Sequence, residues 1–212
     1  MLSSGTTGRK KKITCNWGQI TRNISTNKKY NNNIWALAYS PNHYAGIQVI
    51  LQSFLNYNLL INVFNFEIQN IWKILKKYKI TNISGTPTFY RKLLLVQKKN
   101  NYIKRISIGG EISNKILFLN LKKKFPLAKI LNIYASTEAG TTLASKNNEF
   151  RIPPVLKSVI KIRNNKLLIH KSLLAKNLKN QLDNSWYDTK DRVKKIKKDK
   201  FIFTGRETIS IN

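Results

Sequence analysis

Short apolar runs that alternate with segments of helical period constrain this chain more than any other feature. The runs fall at 34–39, 59–63, 80–84, 103–108 and 130–134. Each has the length of a buried strand, and turn residues such as Ser40-Pro41-Asn42 and Gly85-Thr86-Pro87-Thr88 bound them. The segments between suit helices. One spans about 43–56. In a second, Ile68, Ile71, Trp72, Leu75 and Tyr78 recur at helical spacing with lysines opposite. A third carries Tyr90, Leu93 and Leu94, and a fourth spans about 113–124, where Pro126 stops it. Strand and helix in regular alternation predict an α/β fold with a doubly wound, mostly parallel sheet. After about residue 145 the rhythm changes. Runs at 159–162 and 167–170 flank Asn164-Asn165, a hairpin signal, and Phe201-Ile202-Phe203 is another strand. Trp186 to Arg192 is expected to lie between strands. The expected organisation is an α/β subdomain over 1–144 and a small β-rich C-terminal subdomain over 145–212.

In an open α/β sheet, ligands bind at the carboxyl ends of the strands. Three loops are predicted on that rim: 85–88, 109–111 and 134–140. The last follows the strand at 130–134 and reads Tyr134-Ala135-Ser136-Thr137-Glu138-Ala139-Gly140. It offers a ring to stack on a base, hydroxyls for phosphate and a carboxylate for Mg²⁺. Read alone, a strand end rich in Ser and Thr is also simply a turn. The stretch Ser3-Ser4-Gly5-Thr6-Thr7-Gly8-Arg9-Lys10-Lys11 adds to the first reading. Its glycines let backbone amides approach an anion, and its basic residues neutralise phosphate. Gly5 and Gly8 stand too close for a Walker loop, and the plain alternative is a frayed basic N-terminus. Asp191, one of only 9 acidic residues, suits the paired hydroxyls of a ribose. His43, at a helix start, reads as a cap or surface residue, and His170 is given no role.

The 39 Lys and Arg against 9 Asp and Glu give a formal charge of +30. Such a balance attracts polyanions, nucleic acid included. Heavy use of Lys, Asn and Ile, whose codons are rich in A and T, accounts for it equally, and the charge is spread rather than gathered in one tail. The expectation is therefore no nucleic-acid role. Cys15 is the single cysteine, which excludes an intramolecular disulfide and a cysteine-based metal site. No apolar run approaches a bilayer span, so no transmembrane segment is expected. Met1 stands directly before the Ser/Gly/Thr stretch, and no signal or transit peptide is expected.

Taken in order, the chain presents Ser-Ser-Gly-Thr-Thr-Gly-Arg-x-Lys, a His at the next strand–helix junction, Gly-x-Pro-Thr, Gly-Gly-Glu, Tyr-x-x-Thr-Glu, Trp-Tyr-x-Thr-x-Asp and Gly-Arg. This series resembles the AMP-forming acyl-adenylating superfamily of acyl-CoA synthetases, adenylation domains and luciferases, over nearly the whole chain. The resemblance implies ATP, Mg²⁺ and coenzyme A as cofactors and co-substrate, and a small carboxylic acid as substrate. By the same resemblance Ser4, Gly5, Thr6, Thr7, Gly8 and Lys11 match the loop that handles the β- and γ-phosphates. Gly109, Gly110 and Glu111 match the adenine-side loop. Tyr134 matches the residue packed on adenine, Thr137 a phosphate contact, Glu138 the Mg²⁺ carboxylate, Asp191 the ribose binder and Arg206 a second ribose contact. His43 and Gly85 match positions lining the acyl pocket.

There are departures. Lys10 stands where the family has Pro, and Ala135 where it has Gly. The family's region before the phosphate loop and its C-terminal domain beyond the hinge at Arg206 have no counterpart, so the resemblance implies a chain shortened at both ends, completed by a missing domain or a partner chain. Thr189-Lys190-Asp191-Arg192, in place of Thr-Gly-Asp, and Thr141 to Lys146 resemble o-succinylbenzoate–CoA ligases of menaquinone and phylloquinone synthesis. With the A/T-driven composition this implies a plastid stroma or a bacterial cytoplasm. A fatty-acyl or aryl-acid CoA ligase, an inactive remnant and a basic nucleic-acid-binding protein remain as alternatives.

Overall fold

A computed structural model describes residues 2–3, 11–96, 100–179, 184–197 and 199–207, with the backbone alone at 2, 3, 11, 12, 141 and 179. The N-terminal stretch, expected as a loop, has paired ends: β1 (Leu2–Ser3) and β2 (Lys11–Lys12) are antiparallel, Ser3 opposite Lys11. The polar region after it contains a short helix not anticipated, α1 (Trp17–Thr21), started by a capping box in which Asn16 and Gln19 bond each other's backbone N–H.

The alternating region folds as its periodicity predicts. It gives β3 (Ile34–Leu37), α2 (Tyr44–Phe54), β4 (Leu59–Asn62), α3 (Ile68–Lys77), β5 (Asn82–Gly85), α4 (Pro87–Leu94), β6 (Arg105–Gly109), α5 (Lys115–Lys124) and β7 (Lys129–Ser136). The strands lie in the order β4-β3-β5-β6-β7, all parallel. A sixth strand missed by the periodicity, β8 (Gly140–Ser145), folds back antiparallel on β7. The expected loop at 134–140 is corrected accordingly: Tyr134, Ala135 and Ser136 belong to β7, and only 137–139 form the turn.

The two faces of this sheet are unlike. Ala36, Ile83, Ile106, Ile108 and Ile130 face α3, α4 and α5, where Trp72, Leu75, Tyr90, Leu93, Leu121 and Phe125 complete the main core. The alternate residues turn toward α2. On β3 they are apolar, with Trp35 and Leu37 packing on Val49. On β5 and β6 they are polar. Asn82, Ser84 and Ser107 are 4%, 7% and 5% exposed, and Arg105 lies beside Asn82. Parallel strands covered on both faces usually read as continuous hydrophobic runs; Asn-Ile-Ser-Gly and Arg-Ile-Ser-Ile-Gly do not.

The second sheet is antiparallel. It comprises β9 (Phe150–Arg151), β10 (Ile160–Arg163), β11 (Lys166–His170), β12 (Trp186–Lys197) and β13 (Lys200–Arg206), ordered β10-β11-β12-β13-β9, with a short helix α6 (Lys176–Lys179) between β11 and β12. Asn164 and Asn165 close the β10–β11 hairpin with φ of 50° and 56°, the left-handed pair that a tight two-residue turn requires. Trp186 to Arg192, expected between strands, is the first half of β12 and pairs with β11. Leu143 of β8 joins Phe150, Ile160, Leu167, Val193 and Phe201 in one cluster, so the two sheets share a core.

Candidate nucleotide site at the strand ends

A cavity of about 600 Å³ opens where the carboxyl ends of the parallel strands meet the second sheet. His43, Gly109, Gly110, Glu111, Tyr134, Thr137, Glu138, Asp191 and Arg206 all line it, although they come from five separate places in the chain. Ser4, Gly5, Thr6, Thr7 and Gly8 lie outside the described residues, and of Lys11 only the backbone is described.

Tyr134 joins the two sheets. Its ring stacks on Phe203 of β13 with centroids 4.4 Å apart and planes 17° apart. Its hydroxyl donates to Asp191 Oδ2 at 2.6 Å. Burial, reinforced by the Asp191 charge, pushes that hydroxyl's pKa well above the usual tyrosine range. One ring face is thus occupied by Phe203, a residue that the sequence reading did not single out. Asp191 is held between Tyr134 and Arg206, whose Nε lies 3.8 Å from Oδ1. Burial raises the Asp191 pKa and outweighs the opposing pull of the Tyr134 hydrogen bond and the Arg206 charge; Glu138 adds repulsion.

The sign of the resulting pH dependence follows. A carboxyl whose folded pKa lies above its unfolded value binds more protons in the native state between the two values. Its contribution to stability therefore falls as pH rises through that window. Asp191→Asn is expected to flatten stability against pH from the ordinary aspartate value upward, as urea unfolding across a pH series would measure. An unchanged slope would remove Asp191 as its source.

A bulge aims Asp191 into the cavity. Asp188 pairs with Leu168 and Arg192 with Lys166, so residues 189–191 stand opposite Leu167 alone. Thr189 is buried and donates through its hydroxyl to Leu167 O at 2.8 Å, and accepts the Asp191 N–H at 3.2 Å. Lys190 adopts φ of 65°, and its N–H donates to Asp188 Oδ1 at 2.8 Å. The left-handed conformation at a non-glycine residue costs about 1–2 kcal/mol. Lys190→Gly keeps the N–H and is expected to stabilise the fold by up to about 1 kcal/mol, read as a rise in the urea midpoint at unchanged slope. The half-exposed Lys190–Asp188 ion pair that it removes contributes little.

The Gly109-Gly110-Glu111 corner is built by close approach. A Cβ at Gly109 would come 2.9 Å from Ile133 O, and Gly110 has φ of 82°. Buried Tyr39 sits beneath, its hydroxyl shared between Gly85 O at 2.8 Å and Gly109 O at 3.2 Å. It ties two rim loops together, a role invisible in a residue read only as the end of a strand. Glu111 is engaged within the protein: its Oε2 accepts the Thr88 N–H at 3.0 Å and the Thr88 hydroxyl at 2.6 Å, at the first turn of α4. Gly85 is set back from the cavity. A Cβ there would meet the Phe89 ring at 2.6 Å, and the neighbouring Thr86 lines the wall instead. His43 occupies the N-cap position of α2 without a side-chain capping bond, leaving its imidazole on the cavity wall.

The turn at 137–139 is fixed through its backbone. Ser136 Oγ accepts the Ala139 N–H at 3.1 Å, Arg22 donates to Ala139 O at 2.6 Å, and the Ala175 N–H donates to Glu138 O at 2.8 Å. Gly140 follows with φ of 73°, packed against the Tyr44 hydroxyl. Among the described residues no hydrogen bond or ion pair is made by the Glu138 carboxylate, which stands on the cavity wall near Asp191. No cluster of three metal-ligating side chains occurs among the described residues. Mg²⁺ is commonly held by one or two carboxylates together with substrate phosphates. Glu138 is placed to be such a carboxylate.

Residues 1–166 match the family described as AMP-binding enzyme. The 2-succinylbenzoate–CoA ligase of Lactococcus lactis is 26% identical over 115 residues, covering 52% of this chain and 25% of that protein. Among solved structures, the o-succinylbenzoate coenzyme A synthetase of Bacillus subtilis in complex with ATP and magnesium ion has a TM-score of 0.73 at 17% identity, over 97% of this chain and 49% of that one. ATP-bound MatB of Rhodopseudomonas palustris has a TM-score of 0.75 at 14% identity, over 97% and 47%. The chain therefore spans about half the length of the solved relatives and a quarter of the curated one. With the family match running through most of its length, the chain belongs to the AMP-binding enzyme family.

Proposed function

We propose that this chain forms the nucleotide-handling core of an AMP-forming acid–CoA ligase, and that the acid is 2-succinylbenzoate. The observation that carries the reading is the convergence of Tyr134, Thr137, Glu138, Asp191, Arg206 and the 109–111 corner on one cavity. In this reading the adenine lies between the Gly109–Gly110 backbone and Tyr134. The ribose hydroxyls donate to Asp191, with the Arg206 guanidinium beside it. Thr137 donates to the α-phosphate. Ser4 to Gly8 and Lys11 take the β- and γ-phosphates. An oxygen of the substrate carboxylate attacks the α-phosphorus, the bond to pyrophosphate breaks, and acyl-AMP results. The thiol of coenzyme A then attacks the acyl carbon, and AMP leaves with the electron pair. Mg²⁺ bound at Glu138 would offset the charge that builds on the phosphate oxygens.

The choice of acid is supported by the likeness to 2-succinylbenzoate–CoA ligases in sequence and fold. Among the described residues no helix is long and apolar enough to cross a membrane, and the A/T-biased composition supports a plastid stroma or a bacterial cytoplasm as the place of reaction.

ATP–pyrophosphate exchange by the purified chain tests the proposal, with 2-succinylbenzoate, a fatty acid and an aryl acid side by side. Exchange with 2-succinylbenzoate alone is expected. Exchange with a fatty acid instead would replace the substrate. ATP binding without exchange would mean a core that adenylates only with a further domain or chain. Steeply salt-dependent RNA binding without nucleotide binding would overturn the reading.

A further inference from the structure

The polar face of the sheet beneath α2 is unexplained by nucleotide chemistry. Arg105, Ser107, Ser84 and Trp35 line the same cavity as the nucleotide residues, at its far end. Arg105 begins β6 and Gly109 ends it, so about 13 Å of strand separates the two ends. Register places Trp35 beside Asn82 and Asn82 beside Arg105, one row across three strands. Trp35 is 5% exposed, and its Nε1 is buried with no hydrogen-bond partner. Buried indole N–H groups ordinarily find an acceptor. The Arg105 guanidinium makes no ion pair or side-chain hydrogen bond among the described residues. Both groups are donors only. A buried, unsatisfied indole N–H and, on the same cavity wall, a half-buried guanidinium without a side-chain partner among the described residues suit an acceptor carrying negative charge.

We propose that Arg105, assisted by Trp35 Nε1, binds a second anionic group of the acid, remote from the carboxylate that is activated at the rim. The proposal rests on the carboxylate-activating reading for the orientation of the acid, and it assigns Arg105 as the residue that selects a diacid over a monoacid. A fatty-acyl tail would leave both donors desolvated and unpaired, which disfavours it. Ser84 and Ser107 keep the floor of the groove polar between the two ends.

The test is equilibrium binding, by titration calorimetry with the whole chain, of 2-succinylbenzoate and of 4-oxo-4-phenylbutanoate, the same skeleton without the ring carboxylate. The diacid is expected to bind roughly ten- to a hundred-fold more tightly than the monoacid. Arg105→Leu is expected to erase that difference, Trp35→Phe to narrow it, and Arg105→Lys to retain part of it. Equal binding of both acids by the unsubstituted protein, or equal weakening of both by Arg105→Leu, would overturn the proposal. The first of these needs no variant, so a misfolded variant leaves the proposal testable. Arg105-dependent diacid binding with neither ATP binding nor pyrophosphate exchange would defeat the catalytic reading and leave the anion site standing. Exchange that proceeds equally with the monoacid would do the reverse.

Discussion

Glu138→Gln is expected to lower ATP–pyrophosphate exchange by about a hundred- to a thousand-fold, the effect typical of removing one group that stabilises developing charge. The substitution keeps the side chain's size and removes its charge. The fold has little reason to respond. The turn that carries Glu138 is held through its backbone, by Ala175 on Glu138 O and by Arg22 on Ala139 O. The carboxylate makes no hydrogen bond or ion pair among the described residues, so none of those is lost. Mg²⁺-dependent ATP binding should weaken in parallel, whereas binding of metal-free AMP should change little. Exchange within a few-fold of the unsubstituted protein would remove Glu138 from the metal assignment. Equal loss of AMP and Mg²⁺-ATP binding would point to a misplaced turn.

Gly46→Ala is expected to be the most destabilising single-methyl change near the site. Helix α2 packs directly on the segment that follows β3. A Cβ at Gly46 would overlap the Ser40 carbonyl oxygen and stand 2.9 Å from its carbonyl carbon and 3.1 Å from Pro41 Cα. All three are backbone atoms, so no rotamer change relieves the contact. Intrinsic helix propensity favours Ala over Gly by about 1 kcal/mol. Overpacking against backbone costs about 1–3 kcal/mol and wins. The helix must shift outward, and His43 and Tyr44 at its start move with it. A drop in the urea midpoint together with weaker binding of the acid is the expected pair of results. A stabilised variant would mean that propensity outweighs the clash and that α2 has room to spare.

The parallel half of the fold was legible because its signal is local. A buried strand and an amphipathic helix each announce themselves within a dozen residues, and β3 to β7 with α2 to α5 lie where the apolar runs place them. β12 was not legible, although it is 12 residues long. Its alternation is interrupted by the bulge at 189–191, and Lys194, Lys195 and Lys197 crowd its second half. Pairing with β11 and β13 makes it a strand, and such pairing is not written in its own residues. β8 was hidden for a similar reason: Gly140-Thr141-Thr142-Leu143-Ala144-Ser145 carries little apolar signal and is fixed by its register against β7. At the candidate site, ordered short motifs named nine of the residues that line the cavity. The supports behind them were not named. Tyr39 beneath the glycine corner, Phe203 behind Tyr134 and Arg22 on the 137–139 turn act across the fold, and no spacing along the chain betrays them.

The unlike faces of β5 and β6 bear on how such a protein can change over generations. On each strand, odd and even positions answer to different demands. Ile83, Ile106 and Ile108 secure the core, and their neighbours Ser84, Arg105 and Ser107 meet whatever enters the groove. Mutations at one set leave the other untouched. On the proposed reading of the cavity, a lineage can therefore try new acids by altering two or three side chains, at small risk to folding, while the end proposed for the nucleotide stays as it is.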